Sequence, residues 1–297
     1  MNGYFDTEEG FEVPQLTQNN NKIFTYLEKN YKGTDRVSLP FNNRVRDIPV
    51  FFKYSANLMS KYSVVVVTPE NINHYLTQSE IPFRNSPDSM LSFKNRSDLI
   101  GAALLYKYGG MFVERGTIMM KDPTPLLEKL TMYDTITIGM SRHAPGPSCC
   151  SIENAPNNQI LISRPDNPLL KKYMSNLFSV CSSGVVKGGN FDNPGIKALS
   201  DALVKENETN PSFKHINFGA DFDGTRDHHN NYVDYNLLLG NEDVIYKSID
   251  TLYFISSPTD ELYRIPQYSW FLTSNEEDFA ETNVFLTRIL KTKLKDI

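Results

Sequence analysis

The chain has 297 residues, of which 40% are hydrophobic and 22% are charged, the composition of an ordinary globular protein. Its 30 basic and 35 acidic residues give a net charge of −5 without a long basic run, so nucleic acid is not an expected partner. The three cysteines, an odd number with two of them adjacent, argue against a disulfide framework and suit a reducing compartment.

The N-terminal sequence argues against export. It is acidic and lacks both the basic start and the apolar stretch of a signal peptide. No segment of the chain approaches the ~20 apolar residues that a membrane span requires. We therefore expect a soluble, cytoplasmic protein without a transmembrane segment.

The first third of the chain predicts a loose lead-in followed by helix and strand. Residues 1–21 are polar and end in TQNNN, which indicates a flexible segment. Residues 47–62 have apolar positions at helical spacing. The β-branched run SVVVV at 63–67 is typical of a strand buried on both faces, as in a parallel sheet. Residues 69–76 then predict a short helix.

The segment SDLIGAALLYKYGG, residues 97–110, is the clearest helix. Ser97 is a good N-cap residue, and Asp98 lies where the helix dipole favours a negative charge. Gly109 can adopt the left-handed conformation that ends a helix. Residues 111–113, MFV, then predict a short strand.

The remaining chain alternates between the two kinds of element. The expected strands lie within 117–120, 135–141, 158–163, 243–249 and 251–255, and the expected helices within 121–130, 167–181, 193–207 and 279–294. Such alternation predicts an α/β fold. Because neither repeats nor a sharp linker divide the chain, we predict one domain over residues 22–297, with insertions in its C-terminal part.

The segment 97–117 carries a resemblance to a known family. A Ser-Asp pair, a helix, Tyr-x-x-Gly-Gly, an apolar trio and an acid follow one another as in DXD-type glycosyltransferases, and in particular as in capsular polysaccharide synthesis proteins. The order is also similar, more distantly, to that of α-mannosyltransferases and of the transferase domains of large glucosylating toxins. The matching residues are Ser97, Asp98, Leu105, Tyr106, Gly109, Gly110, Met111 to Val113, Glu114 and Thr117.

Weaker matches extend this resemblance to about residues 45–205. They comprise the segments 62–76, 121–130, 157–174 and 193–203, and a YSW element at 268–270 adds to them. The central motif is moderately specific, whereas each of the others is weak when taken alone.

The resemblance implies a GT-A-like fold, the nucleotide-diphospho-sugar transferase fold, with a central, mostly parallel sheet flanked by helices. The donor would bind at the carboxyl ends of the strands, where open α/β sheets bind ligands. The implied activity moves a hexose from a UDP- or GDP-sugar to a glycan or protein acceptor, with retention of anomeric configuration. Mn²⁺ or Mg²⁺ would neutralise the leaving diphosphate.

The resemblance also implies roles for individual residues. Asp98 and Glu114 would be the catalytic acids, Asp98 contacting the sugar or ribose of the donor and Glu114 holding the metal ion. Asn158 would lie on the acceptor side. The residues expected to bind the donor are Asp98, Tyr106, Gly109, Gly110, Arg115 and Trp270.

Three positions depart from the family pattern. Gly101 replaces an arginine that binds the donor, Glu114 replaces the first aspartate of the DXD motif, and Gly116 replaces the second. Gly116 has no side chain that could bind a metal, and Arg115 could compensate only in part, by its positive charge. An alternative is therefore an inactive glycosyltransferase-like protein that binds a nucleotide sugar or glycan. A Glu114 that is turned away from any cleft, or locked far from solvent in an ion pair with the helix of Asp98, would overturn the transferase assignment.

Two further features have competing interpretations. Asp221 and Asp223, in the segment ADFDG, are a second candidate for metal ligation, although a solvated turn is the favoured interpretation. Trp270 could stack on a sugar or base, or could equally belong to the core. His143, Cys149 and Cys150 are explained as well by ordinary exposed or buried positions as by function.

Overall fold

A computed structural model of the chain describes residues 22–28, 49–86, 91–140, 155–183, 194–257, 262 and 266–295. The predicted lead-in and the residues His143, Cys149 and Cys150 lie outside these ranges. Within them, no helix combines the length and apolarity needed to cross a bilayer.

The described residues form an α/β fold. The strands are β1 (Ile23–Tyr26), β2 (Val64–Val67), β3 (Gly110–Val113), β4 (Ile118–Met119), β5 (Thr135–Ile138), β6 (Asn157–Ser163), β7 (His215–Asn217) and β8 (Phe254–Ile255). The helices are α1 (Val50–Ser60), α2 (Ile72–Tyr75), α3 (Phe93–Tyr108), α4 (Thr124–Glu128), α5 (Pro168–Ser182), α6 (Pro194–Thr209), α7 (Tyr235–Leu238), α8 (Ser269–Thr273), α9 (Glu276–Glu281) and α10 (Phe285–Lys295).

Six strands form a central sheet in the order β2-β1-β3-β6-β5-β7, and β4 pairs with β8 in a separate ribbon. In the central sheet β6 is antiparallel to both of its neighbours, whereas the other pairings are parallel. The predicted mostly parallel sheet flanked by helices is therefore confirmed.

Strand alternation divides the core between the two faces of the sheet. Phe112 and Leu161 point to one face, where they pack with the buried sides of α3, α5 and α6. Met111, Val113 and Ile160 point to the other face and pack with α4 and β8. A third cluster joins α1 to the C-terminal helices α8, α9 and α10. The apolar positions along each strand thus place the helices in two layers.

The structure corrects the predicted start of α3. The helix begins at Phe93, and its N-cap is Ser92, whose hydroxyl accepts a hydrogen bond from the Asn95 amide at 3.2 Å. Ser97 and Asp98 therefore lie in the second turn, so neither caps the helix nor meets its dipole. The prediction was wrong because the preceding segment FKNR, which carries no breaker, continues the helix backward.

The connection from α3 to β3 is confirmed. Gly109 and Gly110 both have positive φ angles, 69° and 98°. A Cβ atom on Gly110 would lie 2.2 Å from the backbone oxygen of Lys22, so β1 passes too close for any side chain at that position. This turn directs β3 back along α3, and it therefore sets which residues meet at the far end of the strand.

The structure also corrects several predictions about strands. The central residues of β2, Val65 and Val66, are only partly buried, because β2 is an edge strand. Residues 243–249, predicted as a strand, form no strand. The patterns did not predict β1 or β7, four and three residues long, as strands.

Candidate functional site

The candidate site lies where β3 ends, next to the first turns of α3. Side chains alternate along a strand, so Glu114 continues the face of Phe112, which packs against α3. Because β3 runs back along the helix, this end of the strand meets the turns that carry Lys94 and Asp98. The turn after α3 thus brings together residues that are 16 to 20 positions apart in sequence.

The site is a buried charge cluster made of Lys94, Asp98, Glu114 and Asn158. The Lys94 Nζ atom lies 2.6 Å from Asp98 Oδ1 and 3.1 Å from Glu114 Oε2. The Asn158 Nδ2 atom donates a hydrogen bond to Asp98 Oδ2 at 2.9 Å. All four residues are buried, and Glu114 is only 1% exposed.

The buried charge cluster perturbs two groups on α5. Burial, reinforced by the negative charge of Asp98, raises the pKa of Tyr173 well above its ordinary value. The same two causes raise the pKa of Cys181 to about 12. Neither residue is therefore a nucleophile or a base near neutral pH, and α5 forms an uncharged wall of the cluster.

The structure brings together three of the predicted site residues, Asp98, Glu114 and Asn158. It also meets one condition that counts against the enzyme, because Glu114 is paired with a lysine of the helix that carries Asp98. Glu114 is thus already neutralised by a cation of the chain. Asn158, expected on the acceptor side, instead binds Asp98 directly.

Arg115 lies in an aromatic pocket. Its guanidinium lies 3.6 Å from the centre of the Phe93 ring and 4.7 Å from that of the Phe52 ring, and the residue is 2% exposed. Such cation–π contacts hold the charge within an aromatic pocket. In this arrangement Arg115 stabilises the packing of α1 on α3, so the structure gives no support to its predicted contact with a diphosphate.

Gly101 has a packing role. A Cβ atom at this position would lie 2.7 Å from ring atoms of Phe112, closer than real Cβ contacts. The glycine therefore lets α3 approach β3. An arginine here, as in the family pattern, would meet the Phe112 ring.

Tyr106 and Gly109 lie at the end of α3 and Gly110 begins β3, whereas Glu114 follows the end of that strand. The four steps from Gly110 to Glu114 span roughly 13 Å at about 3.3 Å per residue. The Tyr106 ring faces Lys171, whose Nζ lies 4.8 Å from the ring centre. The structure therefore does not bring these three predicted donor residues to the buried charge cluster.

Asp221 and Asp223 have different environments. The Asp221 side chain is 43% exposed and pairs with Lys247 at 3.3 Å, as a solvated turn requires. Asp223 is fully buried and accepts hydrogen bonds from the Thr225 hydroxyl at 2.7 Å and from Asn157 Nδ2 at 3.3 Å. The favoured interpretation as a solvated turn is thus right for Asp221 and wrong for Asp223.

Trp270 is not a core residue. It is 43% exposed on the short helix α8, where its ring makes an edge contact with Phe271. Phe271 carries the packing against Phe51 of α1. Trp270 therefore remains a prediction for stacking on a sugar or base.

The residues at the end of β3 do not fit a divalent metal. Magnesium and manganese take several oxygen ligands at about 2.0–2.2 Å. Here Glu114 is paired with Lys94, Gly116 offers no side chain, and the Gly116 carbonyl already accepts a hydrogen bond from Ser257 at 3.0 Å. In the part of the chain that the structure describes, no three His, Cys, Asp or Glu residues are grouped so that they could hold a metal ion.

Lys94 is the site residue that the sequence motif missed. It precedes the Ser-Asp pair and was expected to lie outside the helix. The available signal was its spacing of four residues from Asp98, which joins side chains on one helix face. That signal needed the correct start of α3 before it could be used.

Comparisons with known proteins agree with the sequence motif. Residues 49–179 match the family model described as capsular polysaccharide synthesis protein. A comparison with curated proteins found no match. A solved structure named PaToxG Glycosyltransferase is similar with 12% sequence identity and a TM-score of 0.34, over 63% of this chain and 69% of that chain. The predicted resemblance is thus confirmed where α3 and β3 lie: residues 49–179 have the sequence pattern of the capsular polysaccharide synthesis family.

Proposed function

We propose that the chain is a glycosyltransferase, which moves a hexose from a UDP- or GDP-sugar to a glycan or protein acceptor with retention of configuration. The observation that carries this proposal is the match of residues 49–179 to the family model described as capsular polysaccharide synthesis protein, because the ion pair of Glu114 argues against that acid as a free ligand. Asp98, Glu114 and Asn158 come from three elements, and the match covers all of them. Their position at the carboxyl end of a parallel strand is where open α/β sheets bind ligands.

The charges of the buried charge cluster indicate which part of a donor it suits. One ammonium and two carboxylates leave a net charge of −1 on Lys94, Asp98 and Glu114. Such a group repels a diphosphate, but its carboxylate oxygens can accept hydrogen bonds from hydroxyl groups. By its charge the cluster therefore suits the sugar or ribose hydroxyls, the role implied for Asp98, better than the diphosphate.

The proposed reaction exchanges one bond at the anomeric carbon of the hexose. The bond from this carbon to the diphosphate oxygen breaks, and the diphosphate leaves with the electron pair. The acceptor hydroxyl oxygen forms the new bond, and its proton passes to the departing diphosphate oxygen. Because the sugar becomes positively charged in the transition state, carboxylates held nearby stabilise it relative to the bound donor.

Nucleotide-sugar turnover tests the proposal. The purified protein is incubated with a panel of UDP- and GDP-sugars, and the released nucleoside diphosphate is measured. We expect one donor to be turned over and Asp98→Asn to reduce the rate by roughly 10²-fold, the usual effect of losing one polar transition-state contact. Asp201→Asn, which alters the partly exposed pair with Lys197 on α6, is the matched control and should keep the rate.

A second candidate is a protein that binds a nucleotide sugar or glycan without turning it over. The burial of Glu114 and its pairing with Lys94 favour this candidate. It predicts that a donor raises the melting temperature of the protein, because a ligand selective for the native state stabilises that state, while no nucleoside diphosphate is released. If no donor is bound and none is turned over, both candidates fail.

A further inference from the structure

The most unusual feature of the site is one ammonium group between two carboxylates from different elements. Lys94 and Asp98 lie one helical turn apart on α3, and Glu114 joins them from β3. The side chains of these three residues are 7%, 1% and 1% exposed. Two buried carboxylates side by side without a cation would be strongly unfavourable, so the ammonium stabilises the pair.

The Lys94 ammonium occupies the place of a divalent cation held by Asp98 and Glu114. Asp98 and Glu114 are the two acids that would hold such an ion at the end of β3, and their Oδ1 and Oε2 atoms face Lys94. The Lys94 ammonium already lies 2.6 Å and 3.1 Å from them. Side chains alternate along a strand, so the next position on the same side as Glu114 is 116. Gly116 has no side chain that could bind a metal ion.

We infer that Lys94 is the resident cation of this site and replaces a divalent metal ion between Asp98 and Glu114. Metal removal then leaves the folded protein and its ligand affinity unchanged. Loss of the lysine exposes two carboxylates to which a divalent cation can bind. The part that concerns donor affinity rests on the proposed function, whereas the part that concerns metal binding does not.

Binding of Mn²⁺ to the protein tests the inference directly. Titration followed by the electron paramagnetic resonance signal of free Mn²⁺ should give the same result for the wild type and for Glu114→Gln. A wild-type site that disappears in Glu114→Gln would overturn the inference. This comparison does not require the lysine variant to fold.

The Lys94→Ala variant gives the complementary result. Removing one partner of a buried ion pair is strongly destabilising, so we expect the melting temperature to fall by about 5–15 °C. Millimolar Mn²⁺ should restore a large part of this loss in Lys94→Ala and have no effect on the wild type. Lys197→Ala, which breaks the partly exposed i,i+4 pair with Asp201, is the matched control and should lower the melting temperature far less than Lys94→Ala does. A folded Lys94→Ala that Mn²⁺ does not stabilise would contradict the inference.

Donor binding separates this inference from the proposed function. UDP- and GDP-sugars are titrated in EDTA and then in Mn²⁺, and we expect the same dissociation constant within about twofold in both. If a donor binds only with Mn²⁺ and this binding disappears in Glu114→Gln, the inference fails and the proposed function stands. If no donor binds in either condition, the proposed function fails, and the Mn²⁺ titration alone decides the inference.

Discussion

At the scale of single residues, the segment ADFDG shows how much two neighbouring acids can differ. Asp221 is exposed and pairs with Lys247, whereas Asp223 is fully buried and bound to the Thr225 hydroxyl. Gly139 also matters here, because a Cβ atom on it would lie 1.8 Å from the Asp223 carboxylate. Asp223 therefore joins the end of β5 to the beginning of β6 as a structural acceptor.

We expect the same substitution to lower the free energy of unfolding by very different amounts at the two aspartates. Asp223→Ala leaves the buried Thr225 amide and hydroxyl without their acceptor, so we expect a loss of about 2–4 kcal/mol of unfolding free energy. Asp221→Ala removes only a surface ion pair and should cost less than about 1 kcal/mol. Urea denaturation of both variants measures the difference, and equal costs would contradict a structural role for Asp223.

At the scale of elements, the packing of α3 on β3 forms the candidate site. Gly101 lets the helix approach the strand, and Gly110 lets β1 pass the beginning of the same strand. These contacts fix the distance at which Lys94 and Asp98 face Glu114. The position of the buried charge cluster is thus a consequence of two glycines that carry no functional group.

Gly101→Ala tests this packing. The added methyl group would contact the Phe112 ring, and overpacking of this kind costs about 1–3 kcal/mol, more than the ~0.5–1 kcal/mol that alanine gains in a helix. We therefore expect a net loss of about 1–2 kcal/mol in urea denaturation. Phe112→Leu makes room for the methyl group, so the double variant should be more stable than the sum of the single effects predicts. Strict additivity would show that the ring and the methyl group do not meet.

At the scale of the whole molecule, stability depends on pH through a histidine at the far edge of the sheet. His215 lies on β7, and its Nε2 atom is 2.9 Å from the Thr137 hydroxyl on β5. Burial lowers the pKa of His215 to about 4. In the unfolded chain the pKa is about 6.5, so between these values the unfolded state binds a proton that the native state does not.

This difference predicts a loss of stability as the pH falls from about 6.5 to 4. The contribution of neutral His215 is fully present above pH 6.5. Between pH 7 and pH 4.5 the wild type should lose about 2 kcal/mol more unfolding free energy than His215→Gln, allowing for the partial exposure of the ring. Guanidinium denaturation at both pH values measures this, with the exposed His74→Gln as control. The same loss in the wild type and in His215→Gln would exclude His215 as the cause.

The sequence by itself predicted the elements whose patterns are long or strongly periodic. The helix at 167–181 appears as α5 (Pro168–Ser182), which begins at Pro168 and has Asn167 as its N-cap. The tail predicted as helical forms α9 and α10. The order Tyr-x-x-Gly-Gly before a short strand also located the site on β3, because glycines are needed wherever a helix turns back closely onto a strand.

Only the tertiary structure decided which charges meet. Local patterns could not place Lys94 beside Glu114, because that contact joins a helix to a strand through the turn at Gly109 and Gly110. Nor could they show that Arg115 lies between Phe52 and Phe93, since both rings come from other elements. A motif states which groups the chain carries, whereas burial and long-range contacts determine whether a carboxylate is open to a ligand or already neutralised by its own chain.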